Sequence, residues 1–230
     1  MVQLYGRSGD EFLVNTVTQD VQSAPLTVRL ASGGFVLVWA DFSEGGYFFT
    51  VRGVKAQIYD AAGARVGGEI VVNSSKADWW PDGVAALPNG GFIITYDTGE
   101  VTAQMFDAAG AKIGGEIFVT APDPAVPADR QYNANSDVTV LASGEIVITW
   151  DKVVQFDVDV YAQVLTPAGA KSGSEFRVHA HTSQHSRYPP SPPSPPAVTS
   201  SSGTRLSNMG AGSSGRPSTL SAPRPGICSG

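Results

Sequence analysis

Apolar and polar residues alternate with a period of two along most of the first 178 positions, and paired glycines punctuate the alternation at short intervals. That period belongs to half-buried strands, and no 3.6-residue periodicity runs long enough for a helix. The pattern also repeats. "TVRLASGGFVLVWA" (27–40), "VAALPNGGFIITYD" (84–97) and "VTVLASGEIVITWD" (138–151) align without a gap, which sets Leu30, Leu87 and Leu141 in register at spacings of 57 and 54 residues. A second segment follows in each unit: "AQIYDAAGARVGGEI" (56–70), "AQMFDAAGAKIGGEI" (103–117) and "AQVLTPAGAKSGSEF" (162–176). Each segment reads as a hairpin, because an apolar run follows or precedes a glycine-bearing turn such as Asn89-Gly90-Gly91 or Asp107-Ala108-Ala109-Gly110. The "DAAGA" stretches are too short for helices and end at glycine.

Four short antiparallel strands in about 55 residues is the size of one β-propeller blade. The expected fold is therefore all-β: a propeller-like array of four-stranded blades, about three of them intact and the ring incomplete. A β-sandwich is the alternative. The boundaries follow as an N-terminal strand and connector (1–26), repeat 1 (27–73), repeat 2 (74–119), repeat 3 (120–178), and a connector with a Pro/Ser-rich tail (179–230). "GDEFLVN" (9–15) resembles "GGEIVVN" (67–73), so it is expected to form a last-type strand that completes a final blade.

The tail breaks the pattern. Residues 189–230 hold nine prolines, eleven serines and six glycines, a composition that orders a chain poorly. Decoded one base upstream with four-fold codons, the stretch from Pro190 permits "AVAALASGGYVVVWD". Its leucine falls at Ser194, its aromatic at Thr199 and its tryptophan at Gly203, the offsets that Leu141, Ile146 and Trp150 keep. The tail reads as a fourth unit out of phase, with a true Pro/Ser linker as the alternative. In its written phase it should not pack, and Cys228, the single cysteine, should carry no function.

Composition narrows the function classes. Without the three tail arginines the first 188 residues carry 12 basic and 21 acidic side chains, so the surface repels phosphate backbones and nucleic acid is not an expected partner. No apolar run reaches the eighteen residues a membrane helix needs, so membrane insertion is not expected. "MVQLYGRSGDEF" lacks the charged head and apolar core of a signal peptide, and the chain is expected to be an internal piece of something longer.

At "LPNGGFIITYD … VTAQMFDAAGAKIGGEIFV" the sequence resembles the tandem repeats of large secreted bacterial proteins of the haemolysin-type, repeats-in-toxin-associated, calcium-binding or adhesin-like kind. The resemblance covers 9–188. It implies a non-enzymatic, extracellular or cell-surface role as part of a larger protein. The calcium nonapeptide G-G-x-G-x-D is missing here, which removes the usual calcium route.

Candidate chemistry is sparse. Asp41 and Glu44 in "ADFSEGGY", and Asp157 and Asp159 in "FDVDVY", are the oxygen ligands that would suit Ca²⁺; solvated loop and strand faces are the bland alternative. Trp79 and Trp80 in "KADWWPDG" could stack on a sugar ring, or pack at an edge. His179, His181 and His185 have no further ligand at zinc spacing and read as connector residues. Trp39, Tyr96 and Trp150 share one repeat position and should fill the core between blades; Gln57, Gln104 and Gln163 should be buried amides bonded to backbone. No nucleophile elbow, zinc-protease motif or phosphate loop occurs, so no enzyme is expected. The expected function is a non-catalytic repeat module, structural or adhesive, that meets a surface glycan or protein. A carbohydrate-binding propeller, or a fragment of a propeller hydrolase, is the alternative.

Overall fold

The computed structural model describes residues 10–19, 21–43, 53–73, 80–97, 99–155 and 157–178. The chain divides into two units, Met1–Arg187 and Tyr188–Gly230. The expected tail, with Cys228 and the out-of-phase fourth unit, lies outside the described residues, as do His179, His181 and His185.

The fold is all-β. Twelve strands form three four-stranded antiparallel sheets, each in simple up-and-down order. Sheet 1 contains β1 (Gln22–Arg29), β2 (Phe35–Asp41), β3 (Gly53–Tyr59) and β4 (Arg65–Val71). Sheet 2 contains β5 (Trp80–Ala86), β6 (Phe92–Asp97), β7 (Val101–Phe106) and β8 (Lys112–Phe118). Sheet 3 contains β9 (Gln131–Val140), β10 (Ile146–Val154), β11 (Asp157–Leu165) and β12 (Lys171–Arg177). One 3₁₀ turn, Ala128–Arg130, precedes β9, and there is no α-helix among the described residues. The first strand of sheet 1 begins at Gln22, a few residues before the aligned segment at 27.

The sheets stack in one sense. Cross-strand partners share a face, so Phe35, Leu37 and Trp39 lie with Tyr59, Gln57 and Lys55 on the front of sheet 1, and Val36, Val38 and Ala40 lie with Ile58, Ala56 and Val54 on its back. The back of sheet 1 shares one core with the front of sheet 2, where Phe92, Ile94, Tyr96 and Phe106 sit. The back of sheet 2, with Ile93, Ala103 and Met105, shares a second core with Ile146, Ile148, Trp150 and Leu165 on the front of sheet 3. Sheet 2 is thus covered twice, which is why β6 and β7 are buried along almost their whole length, Thr95, Thr102 and Gln104 included. Contacts between sheets run mainly through β5, with β1 on one side and β9 on the other, so the first strands converge as the inner strands of blades do. The array is propeller-like and open; no sheet closes on itself.

Tyr96 and Trp150 are fully buried in the two cores, as expected of bulky fillers, and Trp39 is 5 % exposed on the front of sheet 1. The three glutamines explain a feature shared by all sheets. The ladder between the third and fourth strands slips at Ala56/Ile58, Ala103/Met105 and Ala162/Val164, immediately around each glutamine. Opposite lie Gly67, Gly114 and Gly173 at φ values of 69°, 67° and 75°, a conformation that side chains disfavour. The bulge frees carbonyls from the ladder, and the amide takes their place. Gln57 donates to the oxygens of Ile58 (3.0 Å) and Val66 (3.2 Å), Gln104 to those of Met105 (3.0 Å) and Ile113 (3.4 Å), and Gln163 to those of Val164 (2.8 Å) and Gly173 (3.2 Å). The A-Q-x…G spacing is therefore a bulge with its own plug.

The second glycine of each "GG" has a separate reason. A Cβ on Gly34 or Gly91 would lie 2.1 Å from the carbonyl oxygen of Tyr59 or Phe106, so the turn passes too close to the neighbouring strand for any side chain. The acidic turn residues act locally. Asp60 Oδ1 accepts from the N–H groups of Ala62 (2.9 Å) and Ala64 (2.8 Å), and Asp107 repeats this with Ala109 (2.9 Å) and Ala111 (2.8 Å).

The expected N-terminal strand is not formed: residues 10–15 join no sheet. A fourth strand needs a third strand to pair with, and none is offered there among the described residues. The segment instead leans on the front of sheet 1. Phe12 meets Tyr59 at 5.4 Å between ring centroids, Tyr59 Oη donates to the Val14 carbonyl (3.1 Å), and Arg65 donates to those of Leu13 (2.8 Å) and Val14 (2.9 Å).

Candidate functional site

Of the six residues singled out as ligands, four are described; Glu44 and Trp79 lie outside the described residues. Trp80 opens β5 at the seam of sheets 1 and 2. Its indole is 43 % exposed and meets Phe42 edge-on, with centroids 5.7 Å apart and planes at 73°. Phe42 is 7 % exposed, so it anchors the indole while leaving part of the ring open to solvent. Asp41 precedes Phe42, so the fold brings one acidic candidate and the exposed tryptophan to the same seam.

Asp41 is 4 % exposed and already matched. Lys55 Nζ stands 2.5 Å from its Oδ2, the Ser43 hydroxyl donates to that oxygen (2.9 Å), and the Ser43 N–H donates to Oδ1 (3.1 Å). Burial works to raise its pKa, but the Lys55 and Ser43 donors outweigh burial and hold it below the usual carboxyl range. Lys55 also reaches Glu69 at 3.4 Å. Burial pulls the ammonium down, and its two carboxylate partners more than offset that, leaving it above the ordinary lysine value.

Asp157 and Asp159 do share a face, with Asp157 opposite Val154 and Asp159 opposite Lys152. Asp159 is paired with Arg177 on β12. Among the described residues no three of His, Cys, Asp or Glu gather as a metal-binding group. Asp41 and Asp159 are thus each already matched by a cation of the chain, a lysine and an arginine.

Sequence reasoning missed a different acidic pair. Asp82 on β5 and Asp97 at the end of β6 are hydrogen-bonded to one another. Asp82 Oδ2 also accepts from the Ser136 hydroxyl (2.8 Å) of β9, which ties sheet 2 to sheet 3. Burial chiefly, then the hydrogen bond and charge of Asp82, push Asp97 up to about 8, against the Gly99 N–H, which favours the ionised form. The aligned positions are Pro25 and Ala40 in repeat 1, and Ser136 and Asp151 in repeat 3, so the pair is not part of the repeat. A search for repeated carboxylates passes over it. Its geometry supports a proton-sharing clasp between sheets.

Nearby, Glu100 accepts from Thr120 Oγ1 (2.5 Å) and Asn133 Nδ2 (3.0 Å), a second link between sheets 2 and 3. No known protein family matches the chain, and no curated protein matches its sequence. Among the described residues no helix is long and apolar enough to cross a membrane.

Proposed function

We propose that this chain is a non-catalytic, propeller-type repeat module of a secreted or cell-surface protein, with a structural or adhesive role. The observation that supports this reading best is where its polar chemistry goes. Asp41, Asp60, Asp107, Asp159 and the three repeated glutamines each serve a turn, a bulge or an ion pair of the scaffold. The proposed role needs no bound cation. Immobilised protein should retain cells or a surface extract bearing its partner, and an inactive chain across glycosidase and esterase substrates is expected; turnover of any of these substrates would overturn the reading.

A carbohydrate-binding role is the second reading, favoured by the 43 % exposure of Trp80 beside the buried Phe42. Stacking of a sugar on an indole uses the ring face and needs little else. Trp80→Ala should abolish any glycan-array signal with little change in thermal stability, and a blank array with the parent chain would remove this reading while leaving the first intact.

A further inference from the structure

The back of sheet 3 is uncovered where the same positions elsewhere are sealed. Val160 is 37 % exposed, whereas its counterparts Val54 and Val101 are at 0 %; Val178 is 54 % exposed, against 0 % for Val72 and 2 % for Val119. Phe176 on the same face is 50 % exposed. These side chains are apolar in all three repeats. What differs is only that sheets 1 and 2 each have a following sheet against their backs.

The surface that seals such a back is also known from within the chain. On sheet 2 it is the front, led by the stacked rings of Phe92 and Phe106 with centroids 4.9 Å apart at 13°. Sheet 1 carries the same device: Phe35 and Tyr59 stack at 5.0 Å and 9°, with Leu37 and Trp39 beside them. No sheet faces it among the described residues. The tail, as written, supplies no apolar alternation that could build a fourth front.

We propose that the back of sheet 3 binds the front of sheet 1 of a second copy, and that two copies close a ring of six sheets through two equivalent seams. Head-to-tail contacts of this kind either close or grow into filaments. Six lies within the four to eight blades from which such rings are built, while three sheets do not close. Within one copy the back of sheet 3 is the exposed face, while the front of sheet 1 is already shielded, with Trp39 5 % and Tyr59 1 % exposed.

One segment stands in the way, and it supplies a second handle on the proposal. Residues 10–15 resemble 68–73 in sequence, the end of β4 and the two residues after it. They lean on the front of sheet 1 much as Ile70 packs on the core shared with the front of sheet 2. In the ring, β12 of the other copy would take that place. β12 is held by its ladder to β11, whereas residues 10–15 belong to no ladder, so the N-terminal segment is the one that yields.

The test is sedimentation velocity and equilibrium on the full chain over a wide concentration range. A species of about twice 24.0 kDa is expected at high concentration. Val160→Asp and Val178→Asp change side chains already exposed in one copy, so folding should persist while self-association weakens by roughly tenfold or more each. Phe12→Ala should loosen the N-terminal segment and strengthen the dimer. A chain that stays monomeric throughout, a series of open polymers, or a dimer indifferent to Val160→Asp would each overturn the proposal.

Discussion

Asp97→Asn isolates the acidic clasp between sheets 2 and 3. Asparagine keeps the size of the side chain, its donor toward Asp82 and its acceptor toward the Gly99 N–H, and removes only the titration. In the folded chain Asp97 releases its proton at about 8, where an ordinary aspartate releases it at 3.8. Between those values the folded state holds a proton that the unfolded state has lost, so stability falls as pH rises. The clasp's contribution is complete below pH 3.8 and gone above about 8. The full displacement would set a ceiling of roughly 6 kcal/mol. Asp97 is only half-buried, and water penetration and side-chain relaxation reduce this to ~1–2 kcal/mol. For a domain of this size that corresponds to roughly 2–8 °C in Tm. Thermal unfolding of parent and variant from pH 4 to 9 reads it directly. The two should melt together near pH 4, and the variant should gain steadily until pH 8. Parallel curves across the range, or a variant less stable at pH 8, would refute the shared proton.

Gln104→Ala should lower stability by ~1–3 kcal/mol, seen as a reduced denaturant midpoint at unchanged slope, because the bulge carbonyls of Met105 and Ile113 lose their buried donor. Lys55→Met should cost ~2–4 kcal/mol at neutral pH, since it leaves the 4 %-exposed Asp41 without its cation. The loss should shrink as pH falls through the depressed Asp41 value, a trend that chemical denaturation at several pH values would follow.

The repeat pattern made most of the fold legible. Leu30, Leu87 and Leu141 located three equivalent hairpins, and the period of two located their faces, because side chains on a strand must alternate whichever sheet they enter. The plug role of Gln57, Gln104 and Gln163 was visible as a buried amide, although the bulge it fills was not, since two extra residues on the fourth strand leave the alternation in phase. The N-terminal strand was misread for a related reason. "GDEFLVN" has strand composition, yet a strand exists only where a neighbouring edge accepts its backbone. The candidate site was less legible. Asp41 looked like a free ligand because its sequence neighbours are small and polar, and nothing local announces that Lys55 arrives from the adjacent strand. The Asp82–Asp97 clasp was invisible for the opposite reason: its members lie on two strands, bond to a third from another sheet, and occur together in one repeat alone.

Front-on-back stacking of three equivalent sheets is the claim on which the rest depends, and nuclear Overhauser contacts from the aromatic rings test it most directly. The rings of Phe92 and Phe106 should show contacts to methyl groups of Val36, Val38 and Ile58, and the Trp150 indole to Ile93 and Met105, the members of the two separate cores. Contacts from Phe92 or Phe106 to Ile146 or Ile148 instead, or the absence of any contact between the repeats, would contradict the account.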